Sequence, residues 1–328
     1  MNKTQNPPAI PSLHVAWAIS RFLGARVLID WHNYGWSILA TTKGAAHPFV
    51  TAYRIYEQCW GSFCATAHLT VTDAMADELR GPEYGITSPI RTMHDRPTAI
   101  FQPILTVSQR RRTLARLFPT RSHEDTIIAG RTRLVVSSTS WTPDEDFRML
   151  LDALVFYSNF WSEYQSRPGQ AGQAPRLLVV VTGRGPDREK YEALVQSLED
   201  QGRLAGVEFM TAWLSIEDYA SLLACADLGV CLHTSSSGVD LPMKVVDMFG
   251  AGIPVVAYGG YPSFKELVKE GVNGRGFTNV ADLSNALTTL LSAAGKKELA
   301  RLREGAIREG SLRWDDEWDR VVATGLGI

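Results

Sequence analysis

Residues His233–Gly260 read HTSSSGVDLPMKVVDMFGAGIPVVAYGG. An apolar run ends at Leu232, and a loop of small residues follows from Thr234 to Gly238. A helix is expected from about Pro242 to Phe249, closed by Gly250 and Gly252, before a second apolar run starts at Pro254. This is strand, loop, helix, strand, and the loop stands at the carboxyl end of a parallel strand, where open α/β sheets bind ligands. Free backbone N–H groups at such a helix start suit a diphosphate, with Ser236, Ser237 and Gly238 permitting close approach. Lys244 adds a point charge. Asp247, three residues on along the same helix face, offers a carboxylate that can accept both hydroxyls of a ribose. An ordinary βα loop with a Lys244–Asp247 ion pair accounts for the same letters.

Outward from this unit the rhythm repeats. Apolar runs at Arg26–Ile29, His68–Val71, Thr98–Phe101, Arg133–Ser137, Leu177–Val181, Val207–Met210 and Leu228–Leu232 lack polar alternation, as strands buried on both faces do. Amphipathic stretches such as DEDFRMLLDALVFYS and DREKYEALVQSLED separate them. The expected fold class is α/β with parallel sheets built from βαβ units. Two gaps interrupt the pattern. Ser108–Arg133 is basic, then polar, and suits an inter-domain connection; Ser166–Pro175 reads as a flexible surface insertion. At least five strand-helix units follow Arg133 but only about three precede Ser108. A sheet that small is thin for a doubly wound domain, so the first domain is expected to be incomplete at its N-terminus.

The bulk numbers narrow the class. The chain has 328 residues, 45% hydrophobic and 21% charged, with a formal charge of -2. That balance gives no overall electrostatic pull toward nucleic acid. The four cysteines, Cys59, Cys64, Cys225 and Cys231, lack zinc spacing and are expected as reduced thiols. No segment approaches the roughly 18 apolar residues of a membrane span, and the N-terminus lacks the pattern of a signal peptide.

Two further strand ends carry functional letters. LVVSSTSWTPDEDFRMLLDAL (Leu134–Leu154) is strand, hydroxyl-rich loop and helix. Thr142 before Pro143 reads as an N-cap with proline at the first helical position, and Asp144 to Asp146 suit the positive helix end. Ser138 and Thr139, within the run Ser137–Ser140, can donate to a phosphate or a sugar; a polar turn is the competing explanation. VVVTGRGPDREKYEAL (Val179–Leu194) has Gly183 and Gly185, which let the backbone turn sharply. Arg188 stands where a dinucleotide fingerprint would have its third glycine. In ARVLIDWHNYGWSILA (Ala25–Ala40) an apolar strand ends in Asp30, Trp31, His32, Asn33 and Tyr34, five side chains that all carry hydrogen-bonding groups. Glu57, among aromatic residues on a helix, reads as structural, and His68 as a core or edge histidine. Trp314 and Trp318 read as packing anchors.

Together these segments resemble GT-B glycosyltransferases, and more closely the chitobiosyldiphosphodolichol beta-mannosyltransferase family. QNPPAIPSL, IDWHNYGWSI, VTDAMADEL, SSTSWTPDEDF, VTGRGP and HTSSSGVDLPMKVVDMFGAGIPVVA carry the resemblance, which spans most of the chain apart from the two gaps. Many relatives have two glutamates separated by seven residues; here Asp240 and Asp247 are separated by six, so the ribose role transfers to Asp247 and the sugar role transfers less well to Asp240. The resemblance also implies an N-terminal membrane anchor and earlier strand-helix units in family members, so the chain is expected to begin inside that domain.

The resemblance implies two Rossmann-like domains facing a cleft. The expected division is residues 1–130 on the acceptor side with a linker, 131–305 for the nucleotide sugar, and 306–328 crossing back to the first domain. It implies transfer of mannose from GDP-mannose to dolichol-diphosphate-linked chitobiose, forming a β-1,4 bond with inversion, in N-glycosylation at the cytosolic face of the endoplasmic reticulum membrane. His32 and Asp30 become the catalytic candidates, since inversion needs a base for the acceptor hydroxyl. Trp31 and Tyr34 would stack on the acceptor sugar. Ser138, Thr139, Gly183, Gly185, Ser236, Ser237, Gly238, Lys244 and Asp247 would hold the donor. No cofactor and no metal ligand set is expected. The membrane surface, and other glycosyltransferases of the pathway, are expected partners. The competing function is a non-catalytic chain that binds a GDP-sugar and docks on a full-length transferase.

Overall fold

A computed structural model of the chain describes residues 2–119, 123–142, 145–167, 169 and 174–323. Its first sheet runs in sequence order, β1 (Asn2–Asn6), β2 (Val27–Trp31), β3 (Ala67–Thr70) and β4 (Ile90–Thr92), all parallel. Helices α1 (Ser12–Leu23), α2 (Gly35–Lys43), α3 (Pro48–Cys64) and α4 (Asp73–Arg80) make the crossovers. Helices α5 (Val107–Leu117) and α6 (His123–Ile128) then lead into β5 (Thr132–Ser138). The second sheet continues with α7 (Phe147–Ser166), β6 (Arg176–Thr182), α8 (Arg188–Asp200), β7 (Val207–Ala212), α9 (Ile216–Cys225), β8 (Leu228–Cys231), α10 (Met243–Gly250), β9 (Val255–Tyr258), α11 (Phe264–Leu267) and β10 (Gly274–Phe277). Helices α12 (Val280–Leu291), α13 (Lys296–Gly310) and α14 (Trp314–Trp318) follow, with a π-helical turn over Asp319–Ala323.

The strand order of the second sheet is β10-β9-β8-β5-β6-β7, every pair parallel. Chain order reverses between β5 and β8. The crevice outside the carboxyl ends of those two strands is therefore the switch point of a doubly wound sheet, the place where such sheets hold ligands. Strand alternation feeds two cores. Val135, Val179 and Val256 meet Leu150, Leu154 and Leu287 on one face, while Val136, Val180 and Val255 meet Val245 and Phe249 on the other.

Several expectations need correction. Thr98–Phe101 is not a strand: Pro97 and Pro103 flank it, the Phe101 N–H closes a turn on the Thr98 carbonyl (3.1 Å), and β4 lies earlier. Ser108–Arg133 is not an open connection. It folds into α5 and α6, whose Leu114 and Ile127, with Phe118 just beyond α5, are buried in the second core; the many arginines mask a helical face. The polar β1 and the glycine-rich β10 carry no apolar run; both are edge strands with one neighbour.

The two sheets are joined at their carboxyl ends. Thr72 Oγ1 donates to the Val239 carbonyl (2.6 Å), and Val239 is buried among residues of the first core. The Glu266 carboxylate accepts from the backbone N–H groups of Asp73 (2.6 Å) and Ala74 (2.8 Å) and meets His94 Nε2 at 3.0 Å. It thus serves as a cap for α4 delivered from the other sheet. Glu266→Ala should lower stability by about 1–2 kcal/mol, read as a drop in the urea midpoint at constant slope; Glu266→Gln should recover part of it. At the C-terminus Val321 and Val322 pack with Leu28, Leu69 and Met93 of the first half. The rings of Trp314 and Trp318 stack at 5.0 Å. No helix among the described residues is long and apolar enough to cross a membrane.

Candidate active site

The loop after β5 departs from the expected helix start. Thr142 is not the N-cap: α7 begins at Phe147, with the Asp146 side chain accepting from the Met149 N–H (3.4 Å). Pro143 and Asp144 lie outside the described residues. The physical reason is Glu145. Its backbone pairs with His233 in an isolated antiparallel bridge across the switch point. Its carboxylate, almost wholly buried, accepts from Thr139 Oγ1 and from the Ser140 N–H (2.7 Å) and pairs with Lys244 Nζ. A carboxylate this far from water needs such partners, so the chain is drawn across the crevice before the helix can begin. Lys244 is accordingly paired with Glu145 and not with Asp247. Glu145 was read in the sequence only as a helix-end acid.

Trp141, with φ +51°, is the one non-glycine residue in the left-handed region among the described residues. The strain is held by packing: its indole N–H donates to the Gly183 carbonyl (3.3 Å), and its ring lies 4.7 Å from that of Phe147. Gly183 (φ +134°) and Gly185 close the same knot. A Cβ on either would stand 1.7 Å from the Thr139 carbonyl oxygen or 1.8 Å from that of Ser140. The glycines let two strand-end loops touch backbone to backbone.

At the switch point a cavity of about 390 Å³ opens, lined by Ser138, Thr139, Gly183, Trp213, Tyr219 and Lys244 among others. Ser138 Oγ and Tyr219 OH are hydrogen-bonded at 2.9 Å. Trp213 is 57% exposed, and the Arg184 guanidinium lies 4.3 Å from its ring centre. Trp213, Tyr219 and Arg184 escaped sequence reading, because a single aromatic or arginine beside a strand end carries no local pattern. Asp247, one helical turn beyond Lys244, is half-buried. No hydrogen bond or ion pair reaches its carboxylate among the described residues, and burial alone pushes its pKa up to about 7.

The loop after β8 is braced internally by Asp240. That buried carboxylate accepts from Ser235 Oγ and from Ser237 Oγ (3.2 Å) and faces His233 Nε2 at 3.4 Å. Burial opposes its charge, but these partners hold it below the usual carboxylate range. Gly238, at φ +81°, donates its N–H to Ser235 Oγ (2.6 Å). Ser236 turns to the other half of the chain, accepting from Asn33 Nδ2 (3.3 Å) and lying 3.2 Å from Ser37 Oγ. The strand end carrying Asp30 and His32 is therefore brought against the β8–α10 loop.

There, Asp30 Oδ2 pairs with Lys3 Nζ at 2.8 Å and His32 Nε2 at 3.1 Å, while His32 Nδ1 faces Asp95 Oδ1 at 3.9 Å. Burial works against charge on Asp30 and His32, yet their pairing wins: Asp30 is held low and His32 is raised. Burial raises Asp95, with His32 opposing. Asp95 went unnoticed in the sequence because the chain brings it in from a distant connection. His32 is a third exposed, and Asp30 lies behind it.

Trp31 and Tyr34 are not placed to stack on a sugar. Strand alternation turns Trp31 away from Asp30 and His32 into the first core, where it is fully buried and its indole N–H donates to His68 Nδ1 (3.0 Å). That leaves His68 a core histidine, its pKa lowered to about 4 by burial. Tyr34 is also buried, stacked on Trp36 and Tyr84, with its hydroxyl donating to Glu78 (2.8 Å). Glu57 accepts from the N–H groups of Gly35 (3.2 Å) and Trp36 (3.3 Å), capping α2.

Comparison with known proteins fits this geometry. The family described as Glycosyl transferases group 1 matches residues 152–293. A chitobiosyldiphosphodolichol beta-mannosyltransferase of Arthroderma benhamiae is 49% identical over 324 residues, covering 99% of this chain and 70% of the relative. The UDP-glycosyltransferase TURAN of Arabidopsis thaliana is 39% identical, covering 96% and 74%. Among solved structures, Anabaena HepE in complex with UDP and glucose superposes with a TM-score of 0.65 at 17% identity, over 96% of this chain and 75% of that one. The last likeness concerns the fold, which is GT-B, with two Rossmann-like sheets. On identity and coverage, the chain belongs to the chitobiosyldiphosphodolichol beta-mannosyltransferase family of glycosyltransferases.

Proposed function

We propose that the chain transfers mannose from GDP-mannose to O4 of chitobiose linked through diphosphate to dolichol, with inversion, at the cytosolic face of the endoplasmic reticulum membrane. The observation that carries the donor half is the switch-point cavity, where Lys244 is anchored on buried Glu145, with Asp247 one turn further along α10 and without a hydrogen-bond partner among the described residues. In this reading residues 1–130 receive the acceptor, 131–305 hold the donor, and 306–328 return to the first part.

The exposed face of Trp213 stacks on guanine, and Asp247 accepts the ribose hydroxyls. Lys244, the backbone N–H groups at the start of α10, and the hydroxyls of Ser138 and Thr139 receive the diphosphate. As the bond from the mannosyl C1 to the GDP oxygen breaks, the negative charge grows on GDP against these same donors. The acceptor O4 bonds to C1 from the opposite side, and His32 takes its proton. Asp30, fixed by Lys3, holds the His32 ring in position.

Calorimetry on the purified chain tests the donor half. GDP should bind, and Trp213→Ala should weaken it by roughly tenfold, the usual range for one stacked base. The Arabidopsis relative is named for UDP, so UDP is the comparison ligand. A folded sample that binds neither nucleotide would sink the assignment; tighter binding of UDP would sink the guanine preference. Affinity for GDP should also rise with pH through about 7, because only the ionised Asp247 carboxylate can accept hydrogen bonds on both oxygens from the two ribose hydroxyls. Asp247→Asn should flatten that rise.

A further inference from the structure

The helices α1 and α3 lie side by side on the outside of the first sheet, with the ring of Trp17 5.9 Å from that of Phe63. Their outer faces are apolar. Phe22 is 92% exposed, Phe49 71% and Phe63 68%; Ile55 is exposed on α3 with Phe49 and Phe63, and Val15 and Ile19 are exposed on α1, where they line a groove with Lys3, Thr4 and Gln5 of β1. A helix face turned to water ordinarily carries charge, and a patch of this kind marks a contact surface.

The charges around it have one sign. Before Ala67 the sequence contains two acidic residues, Asp30 and Glu57, and both are buried. Five cations fall in the same stretch. Lys3 is paired with Asp30 and Arg54 with Glu83. Arg21, Arg26 and Lys43 are exposed, with no ion pair among the described residues. Exposed aromatic and aliphatic side chains ringed by cations match the chemistry of an anionic membrane surface: rings enter the interface while guanidinium and ammonium groups meet lipid headgroups.

From this charge complementarity we propose that the α1/α3 face seats the chain on an anionic lipid bilayer. The inference rests on the reading of the acceptor as lipid-linked. It adds where the chain meets the lipid: α2, which ends at Lys43, starts three residues after His32, so the surface and the acceptor-side strand end belong to one half. A carrier lipid held in the same bilayer would bring its diphosphate sugar to that half.

Flotation of the full chain with vesicles tests this. The chain should float with phosphatidylcholine vesicles containing phosphatidylinositol at least about tenfold better than with phosphatidylcholine alone, as expected for a few cations near an anionic surface. Phe22→Ser/Phe63→Ser should abolish flotation, and Arg21→Gln/Arg26→Gln should remove the anionic preference. All four positions are exposed, and an unchanged urea midpoint checks that each variant is folded. Flotation absent in the parent chain, equal capture by neutral vesicles, or undiminished flotation of the phenylalanine variant would each overturn the proposal. Self-association that replaces vesicle binding and is lost in that variant would overturn it too, making the face an interface between copies. A parent chain that floats yet binds no nucleotide would count against the donor assignment alone.

Discussion

His32→Ala should slow mannosyl transfer by roughly 10²–10⁴-fold, the usual contribution of a positioned base, while GDP binds as before. The imidazole stands a third exposed at the strand end that meets the β8–α10 loop, with a carboxylate on each ring nitrogen. Asp30 is nearly closed off and already neutralised by Lys3, so it cannot replace the lost base. The pH profile gives the sign. A base must be neutral to accept a proton, and the carboxylates raise His32 above its ordinary value of 6.5. The rate should therefore climb with pH through a value above 6.5. Asp95→Asn removes one carboxylate and should move that climb to lower pH; Asp30→Asn should move it the same way and lower kcat without changing the donor KM. Unchanged turnover in His32→Ala, measured with synthetic lipid-linked acceptor, would remove it as the base.

Lys244→Met should cost about 3 kcal/mol of stability, as when one member of a buried pair is removed. Glu145 has a side chain only 1% exposed, and without Lys244 its charge keeps hydrogen bonds from Thr139 and Ser140 but no cation. The reverse change, Glu145→Gln, leaves Lys244 with 24% of its side chain in water and should cost nearer 1 kcal/mol. The double variant Lys244→Met/Glu145→Gln should regain most of the loss in urea denaturation. It should still bind GDP weakly, which separates the lysine's charge on the ligand from its part in folding. Additive losses would show that the two side chains do not act as a pair.

The second sheet was readable because its central strands are buried on both faces and announce themselves as apolar runs, and because HTSSSGVDLPMKVVDMF places a helix start on a strand end. Edge strands such as Asn2–Asn6 need not obey that rule, since one side of the strand lacks a sheet neighbour. Candidate residues drew notice in the sequence where chemistry coincided with local pattern, as at Lys244, Asp247 and His32. Glu145 and Asp95 were hidden for a different reason. Their partners lie 99 and 63 positions away, and only folding makes the pairs. Trp31 and Tyr34 show the opposite error: polar atoms on aromatic rings looked like a binding face, but the hydrogen bonds they make are spent inside the core.

The bridge between Glu145 and His233 binds the entry of α7 to the loop that precedes α10. In the proposed donor role of Lys244, a phosphate would share that cation with Glu145, the residue that fixes how the chain crosses the crevice. Occupancy of the pocket and the order of this crossing are thus two sides of one equilibrium, and thermodynamic reciprocity makes the influence equal in both directions. In that reading, whatever loosens the crossing frees Lys244 and strengthens the nucleotide by the same factor that the nucleotide loosens the crossing, so the pocket exchanges holding its ligand for holding its own shape.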